Sequence, residues 1–329
     1  MKGKLYIDGI DAYERYGIFV AKDGYPDLIS FPAFKTLDSN SWPEEDGCET
    51  DLSDPVLGFS EITLNFYAVD YNKAMDLIVL VSDKSYHTFN FVEVGTVKSL
   101  RLVSETNKKI YVNMESFSLT FADDSPMDGY EYEEPVNDDL IKGTQDYEID
   151  GRELTDYGVF LLDGSDAEIV KSPAVKKNLL VDIPSHKGAI YDGELVVYEK
   201  KEVALKCLMV SSGTSAMWRN LNALVFDLIR LNTVLEEGDD DSGDAEYKTA
   251  ERTFYVDGLV EEYPCYYNGL KATAFHVLSD GRIWLEFTLN LVFTQFTVDG
   301  QNFLLATEDG ELVVTEDGEF YIDLNDYGD

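Results

Sequence analysis

The sequence predicts a mainly β fold: two tandem antiparallel β-barrel modules, each with one inserted α-helix, followed by a short C-terminal β-hairpin ribbon. Three observations predict it. The chain writes one opening twice, "YIDGIDAYERYGIFV" at 6–20 and "YEIDGRELTDYGVFL" at 147–161. Alternating apolar runs recur, rich in the 21 Tyr and 18 Phe and broken by only 9 Pro, a balance that favours strands over helices. The length of 329 residues also allows two domains on a prior of about 150 residues each, the count the repeat gives independently.

The expected first module spans residues 1–124 and the second 147–297. Gly9 and Gly17 are read as turn positions in the first, with Gly151 and Gly158 as their equivalents in the second. Each Tyr-Gly leads into an apolar strand, "GIFVA" (17–21) or "GVFLL" (158–162), and then into a polar loop holding Pro32 or Pro173. The strands "SEITLNFYAV" (60–69) and "GELVVYEKKEVALKCLMV" (193–210) follow, and after each comes a helix. In the second copy, "SAMWRNLNALVFDLIRLN" (215–232) places Met217, Leu221, Leu224, Val225 and Leu228 on one helical face, with Ser215 as cap. In the first, "DYNKAMDLIVLVSD" (70–83) reads as a shorter helix capped by Asp70, with Tyr71, Met75, Ile78 and Val79 sharing a face. Its β-branched end also suits a strand. Both copies then return to strands: 86–103 corresponds to 251–268, and 108–123 to 281–296, with Ile110-Tyr111-Val112 set against Ile283-Trp284-Leu285.

Three segments stand outside this repeat. Residues 125–146 are acidic and polar and read as a linker or an extended arm. Residues 235–248, "LEEGDDDSGDAEYK", are an insertion in the second copy, read as a solvated loop. Residues 298–329 carry "LLATEDGE" and "LVVTEDGE" in succession, whose Asp-Gly pairs are hairpin-turn signals.

Lys plus Arg number 26 against 64 Asp plus Glu, a net charge of −38. So acidic a surface repels nucleic acid and anionic membranes, which excludes tight binding to either, and it also keeps a protein soluble. Cys48, Cys207 and Cys265 form no paired spacing and read as reduced packing thiols. No signal-peptide core and no apolar run long enough for a membrane span is present. The chain is expected to be made in the cytoplasm and to stay there or leave by lysis.

No chemistry-bearing constellation emerges: the expectation is no catalytic residue, no cofactor and no metal. His87, His186 and His276 lack ligand spacing. "VSSGTSAM" (210–217) lacks the spacing of a nucleophile elbow. "DDDSGD" (239–244) departs from a calcium loop at Gly243 and Ala250. Trp218 and Trp284 read as core or subunit contacts, with a sugar site lined by Trp42, Trp218 and Trp284 as the other reading.

The helix with "WRNLNAL", the interruption after it, "ERTFYVDG" and "IWLEFTLNLVF" resemble the N-terminal barrel of phage distal tail proteins. The resemblance covers 147–296, and 6–123 through the internal repeat. It implies a virion structural protein of the distal tail or baseplate hub, located in the phage tail and not an enzyme. Such a protein forms a homo-oligomeric ring, a trimer or a hexamer, around the DNA channel. Its implied partners are the tail tube protein and other baseplate, tail-fibre or tape-measure proteins. Two tandem barrels would let three chains present six modules to a six-fold tube. The alternative reading is a secreted or surface carbohydrate-binding or adhesion module.

Overall fold

The computed structural model describes residues 1–296 except 22–23, 44, 84, 111–114, 139, 142–146, 177–179, 182, 186, 189, 192–195, 237–244 and 257–260. The expected C-terminal ribbon and the centre of the acidic insertion lie outside the described residues.

The chain is mainly β and holds two seven-stranded antiparallel sheets. The first comprises β1 (Leu5–Ile7), β2 (Ile10–Asp11), β3 (Ile18–Val20), β4 (Ser60–Ala68), β5 (His87–Phe91), β6 (Thr96–Ile110) and β7 (Glu115–Asp123). The second comprises β8 (Tyr147–Ile149), β9 (Arg152–Glu153), β10 (Val159–Leu161), β11 (Lys201–Ser211), β12 (Arg252–Val256), β13 (Glu261–Val277) and β14 (Ile283–Phe293). The spatial orders are β2-β1-β5-β6-β7-β4-β3 and β9-β8-β12-β13-β14-β11-β10, the same path traced twice. Both sheets curl, and among the described residues no hydrogen-bonded pairing joins β2 to β3 or β9 to β10.

The repeated opening has a local cause. Ile7 faces Ile10, and Ile149 faces Arg152, across two-residue loops. Asp8 and Gly9 have φ of 50° and 79°, and Asp150 and Gly151 have 51° and 75°. Two successive positive φ values define the hairpin turn whose twist matches its strands, and Asp-Gly is among the few pairs that accept it. The chain then makes α1 (Ala12–Tyr16) in the first half, but a four-residue 3-10 helix, Leu154–Tyr157, in the second. The second copy is one residue shorter here, and the tighter helix takes up the difference. Both helices stop on a left-handed glycine, Gly17 at φ 64° and Gly158 at φ 68°.

The turn aspartates also anchor the hairpins across the sheet. Thr88 N–H donates to Asp8 Oδ1 at 2.9 Å, and Thr253 N–H to Asp150 Oδ1 at 2.9 Å. The other carboxylate oxygen takes a cationic side chain: His87 Nδ1 at 2.7 Å on Asp8, and Arg252 Nη1 at 3.4 Å on Asp150. His87 and Arg252 open the equivalent strands β5 and β12. Burial disfavours a charged His87, but hydrogen bonds to Asp8 and Asp83 outweigh it and raise its pKa above the ordinary value. A raised folded-state pKa adds stability that is complete below about pH 6.5, the unperturbed imidazole value, and is lost as pH rises through the folded value. The melting temperature should therefore fall over that window in the wild type and stay flat there in His87→Gln. A calorimetric pH series checks this. Arg252 keeps its charge throughout, so the second anchor has no such dependence.

Register carries the repeat into the core. Ile18 pairs with Ala68 and Val159 with Met209, while Ala68 pairs with Glu115 and Met209 with Leu285. Phe117, Leu119 and Phe121 thus match Phe287, Leu289 and Leu291, and all six are buried. This register corrects one sequence alignment. Ile110 ends β6 rather than matching Ile283, which opens β14; Tyr111 and Val112 lie outside the described residues. Three consecutive apolar residues match anywhere along a β-rich chain, and only the pairing fixes the register.

Each half has a short helix, α2 (Pro26–Ile29) or α4 (Ser165–Val170), and places one long helix after the fourth strand of its seven-stranded sheet: α3 (Tyr71–Val81) and α5 (Thr214–Ile229). Asp70 caps α3, accepting from Asn72 and Lys73 N–H, so 70–83 is a helix and not a strand. Its inner face differs from the expected one. Ala74, Leu77 and Val81 are buried, whereas Tyr71 is 51% and Val79 71% exposed. In α5, Met217, Leu221, Leu224 and Leu228 are all fully buried, each worth about 1.5–3 kcal/mol of burial. The helix starts at Thr214 after Gly213, with no side-chain cap from Ser215. One continuous apolar cluster runs through both halves. The insertion is flanked by a two-stranded ribbon, Asn232–Glu236 against Ala245–Thr249.

Candidate functional site

The feature that concentrates polar and aromatic groups is the seam between the two halves. The outer stripe of α5 points at the β5–β6 turn of the first sheet. Trp218 Nε1 donates to Val94 O at 2.7 Å. Gly95, at φ 71°, lies so close to Thr214 that an added Cβ would meet its Oγ1 at 2.6 Å and its Cβ at 2.8 Å. Gly95→Val should therefore cost about 1–3 kcal/mol through overpacking of the seam, with a red shift of Trp218 fluorescence as its ring is exposed. Thermal melting followed by emission checks both.

The seam continues through α2 (Pro26–Ile29) and the segment after it. Phe31 forms an isolated antiparallel bridge with Leu270, where β13 bulges, and Ala272 N–H donates to Ser30 Oγ at 2.9 Å. Tyr25 meets Phe275 edge-on at 6.2 Å. Lys176 Nζ reaches across from the second half to Trp42 O at 2.8 Å and Glu45 O at 2.7 Å.

A cleft of about 650 Å³ opens along the seam, lined by residues of the first sheet, of α5 and of 125–130. Lys98 Nζ and Asp123 pair at 2.7 Å, with side chains only 13% and 10% exposed, and Lys98 also lies 5.9 Å above the Phe31 ring. Arg101 donates twice to Asp124, at 2.5 and 2.8 Å, and Tyr86 OH adds a third bond at 2.6 Å. Those bonds from Arg101 and Tyr86 hold the Asp124 carboxyl below its ordinary pKa. Asp123 and Asp124 are thus committed to fixed partners, an arrangement that orders a joint rather than a proton-transfer site.

Residues 125–138 run along α5 as a strap. Asn220 accepts from Val136 N–H at 2.9 Å and donates to Val136 O at 2.8 Å. Arg219 Nε donates to Glu134 O at 2.5 Å, and the rings of Tyr130 and Tyr132 pack on Phe226 at 5.7 and 5.3 Å. Beneath the strap, Asp227 accepts from Tyr157 OH at 2.7 Å and Tyr132 OH at 3.1 Å, with Arg152 and Arg230 beside it. Burial and the hydrogen bond to Asp227 push the Tyr157 phenol well above its usual range, so it stays a donor at every working pH.

The residues flagged in the sequence fall as follows. Gly9, Gly17, Gly151 and Gly158 occupy the turns and helix ends described above. Trp42 is exposed, Trp218 sits at the seam and Trp284 bonds Glu286 on the second sheet, so the three share no site. His87 anchors a hairpin, His276 is exposed, and His186 lies outside the described residues. Cys207 and Cys265 are buried free thiols, and burial pushes Cys207 up to about 12. Among the described residues no group of three or more His, Cys, Asp or Glu is placed to hold a metal ion, and no helix is long and apolar enough to cross a membrane. Sequence reasoning missed Val94, Gly95 and Thr214. A lone glycine between two strand patterns was the available signal, and it does not say what approaches it.

No protein-family model matches the chain, and no curated protein matches it. Among solved structures, the crystal structure of SPP1 Dit, described as a paradigm of the hub adsorption apparatus in phages infecting Gram-positive bacteria, is similar. It is 11% identical over 89% of this chain and 99% of that one, with a TM-score of 0.28.

Proposed function

We propose that the chain is a structural virion protein of a phage tail tip, a distal tail or baseplate hub component. It forms a ring that joins the tail tube to the host-recognition apparatus and lines the DNA channel. The observation that supports it most is the duplication: one strand order, one aspartate anchor and one helix placement, written twice in one chain. Each sheet and its helix then serve as one barrel-type module, 1–124 and 147–297, with 125–146 as the strap between them and 298–329 as a hairpin ribbon. Three chains present six modules to a six-fold tube, and six chains present two layers. The net charge of −38 suits a channel wall that lets DNA pass without adhering.

The partners are further copies of this chain, the tail tube protein and neighbouring baseplate, fibre or tape-measure proteins. Repulsion between subunits this acidic opposes assembly, and salt screens it. Sedimentation of the purified chain at rising ionic strength should show a shift from monomer toward trimers or hexamers. A stable dimer as the end state, or dissociation on adding salt, would overturn the proposal.

A further inference from the structure

Strand β6 begins before its neighbour β7 can reach it. Residues Thr96–Leu100 pair with β5, but the pairing of β6 with β7 begins only at Arg101, opposite Ala122. β7 stops there because Asp123 turns the chain. Its Oδ1 accepts from Ser125 N–H at 3.3 Å, its Oδ2 accepts from Lys98 Nζ at 2.7 Å, and Asp128 N–H then closes a turn on Ser125 O at 3.0 Å. The strap thus leaves the sheet for α5 instead of continuing beside β6. The cleft at the seam is the space this opens, with Thr96–Ser99 on one wall and 125–130 on another.

The register fixes which backbone groups look into that space. Asp8 N–H donates to Thr88 O at 2.8 Å, and Thr88 N–H donates to Asp8 Oδ1 at 2.9 Å, so Thr88 points toward β1 and its neighbour Phe89 toward β6. Phe89 pairs with Lys98 and Phe91 with Thr96. The N–H and C=O of Lys98 and Thr96 therefore face β5, and those of Val97 and Ser99 face the cleft, on the side where Arg101 meets Ala122. Among the described residues no group bonds them there. Val97 is 60% exposed and Ser99 is exposed as well.

We infer that the cleft is a strand-addition site, in which an extended, basic segment of a partner protein pairs with Val97 and Ser99 and carries on the line of β7. Main-chain hydrogen bonds supply affinity in such contacts, and alternate side chains supply specificity. The open run Thr96–Leu100 offers about 17 Å at 3.4 Å per residue. An uncovered edge invites whole sheets to add, but this one is recessed between the strap and Trp218 and Asn222 of α5, so it admits one strand and excludes a second sheet. Charge selects the segment. Lys98 and Arg101 are spent on Asp123 and Asp124, while the exposed Asp128 carboxylate has no cationic partner among the described residues. With the chain at −38, a segment bearing Lys or Arg is drawn in and an acidic one is kept out. The edge is set by the pairing within one sheet and does not depend on whether copies form a ring.

The test titrates the end-capped peptide Lys-Thr-Val-Thr-Val-Lys into the full-length chain at low salt and reads amide hydrogen exchange. The Val97 and Ser99 amides should exchange fast in the free chain and slow by about tenfold or more with peptide bound, the effect of about one hydrogen bond each. Exchanging both peptide lysines for glutamate should weaken binding by a similar factor. N-methylation of alternate peptide residues should separate the two edges of the bound strand: one set abolishes binding and the other leaves it unchanged. Val97→Pro removes one donor without touching the β5 ladder and should weaken binding by about tenfold, with circular dichroism unchanged. The N-methylated pair leaves the protein unaltered, so it decides the matter even where Val97→Pro fails to fold. No binding at millimolar peptide, equal tolerance of both N-methylated sets, or unchanged exchange at Val97 and Ser99 would overturn the site. Protection of those amides that grows with the concentration of the chain alone would make a second copy the occupant and overturn the basic partner.

Discussion

Asp150→Ala should lower the unfolding free energy by about 3–5 kcal/mol, the cost of leaving a buried charge without its counter-ion. The Arg252 side chain is 0% exposed. Among the described residues its guanidinium makes two hydrogen bonds, from Nη1 to Asp150 Oδ2 at 3.4 Å and to Glu251 O at 3.1 Å, while buried Nε and Nη2 find no partner there. Burial pushes the Arg252 pKa down and Asp150 pushes it back up, so removing the carboxylate removes what offsets the desolvation. The same substitution frees Thr253 N–H and the hairpin turn. Asp8→Ala should cost less, because His87 can shed its proton and Arg252 cannot. Replacing Arg252 by Met in the Asp150→Ala background should recover part of the loss, since an apolar side chain has no charge to strand. Urea unfolding of the four proteins checks this. A loss under about 1 kcal/mol in Asp150→Ala, the range of an exposed pair, would show that water reaches Arg252.

Leu224→Ala should cost about 2–5 kcal/mol, as truncations in packed cores do. Leu224 is fully buried in a helix face shared with Met217, Leu221 and Leu228, and that face belongs to the continuous cluster of the whole chain. Two halves on one core should unfold in a single transition, so the loss should shift the midpoint without splitting it. Val79→Ala on α3, at a residue 71% exposed, should stay within about 0.5 kcal/mol. A change below that in Leu224→Ala would mean the α5 face packs against nothing.

The mainly β class was legible because alternation and aromatic content report directly on half-buried strands. So was the existence of a repeat, since Asp-Gly and Tyr-Gly mark backbone geometries few residues accept. The partners of those motifs were not legible. His87 lies 79 residues from Asp8, and Arg252 lies 102 residues from Asp150, and the two partners share charge but not residue type. The inner face of α3 was misread for a physical reason. Tyr71, Met75, Ile78 and Val79 do form an apolar stripe at helical spacing, but Ala74, Leu77 and Val81 form another, and spacing alone does not say which one meets the sheet. The strap was equally hidden. Its tyrosines and Val136 find α5 only in three dimensions, and an acidic, proline-bearing segment reads as a linker or an arm when seen alone.

The proposed ring of modules around a DNA path is tested most directly by electron cryo-microscopy of an intact tail tip containing this chain. The account predicts a closed ring of three or six copies, six modules or a multiple of six around the axis. Its channel should clear duplex DNA at about 20 Å or more, with acidic side chains outnumbering basic ones on the wall. A two-fold dimer as the sole assembly in the particle, or a basic channel wall, would contradict it.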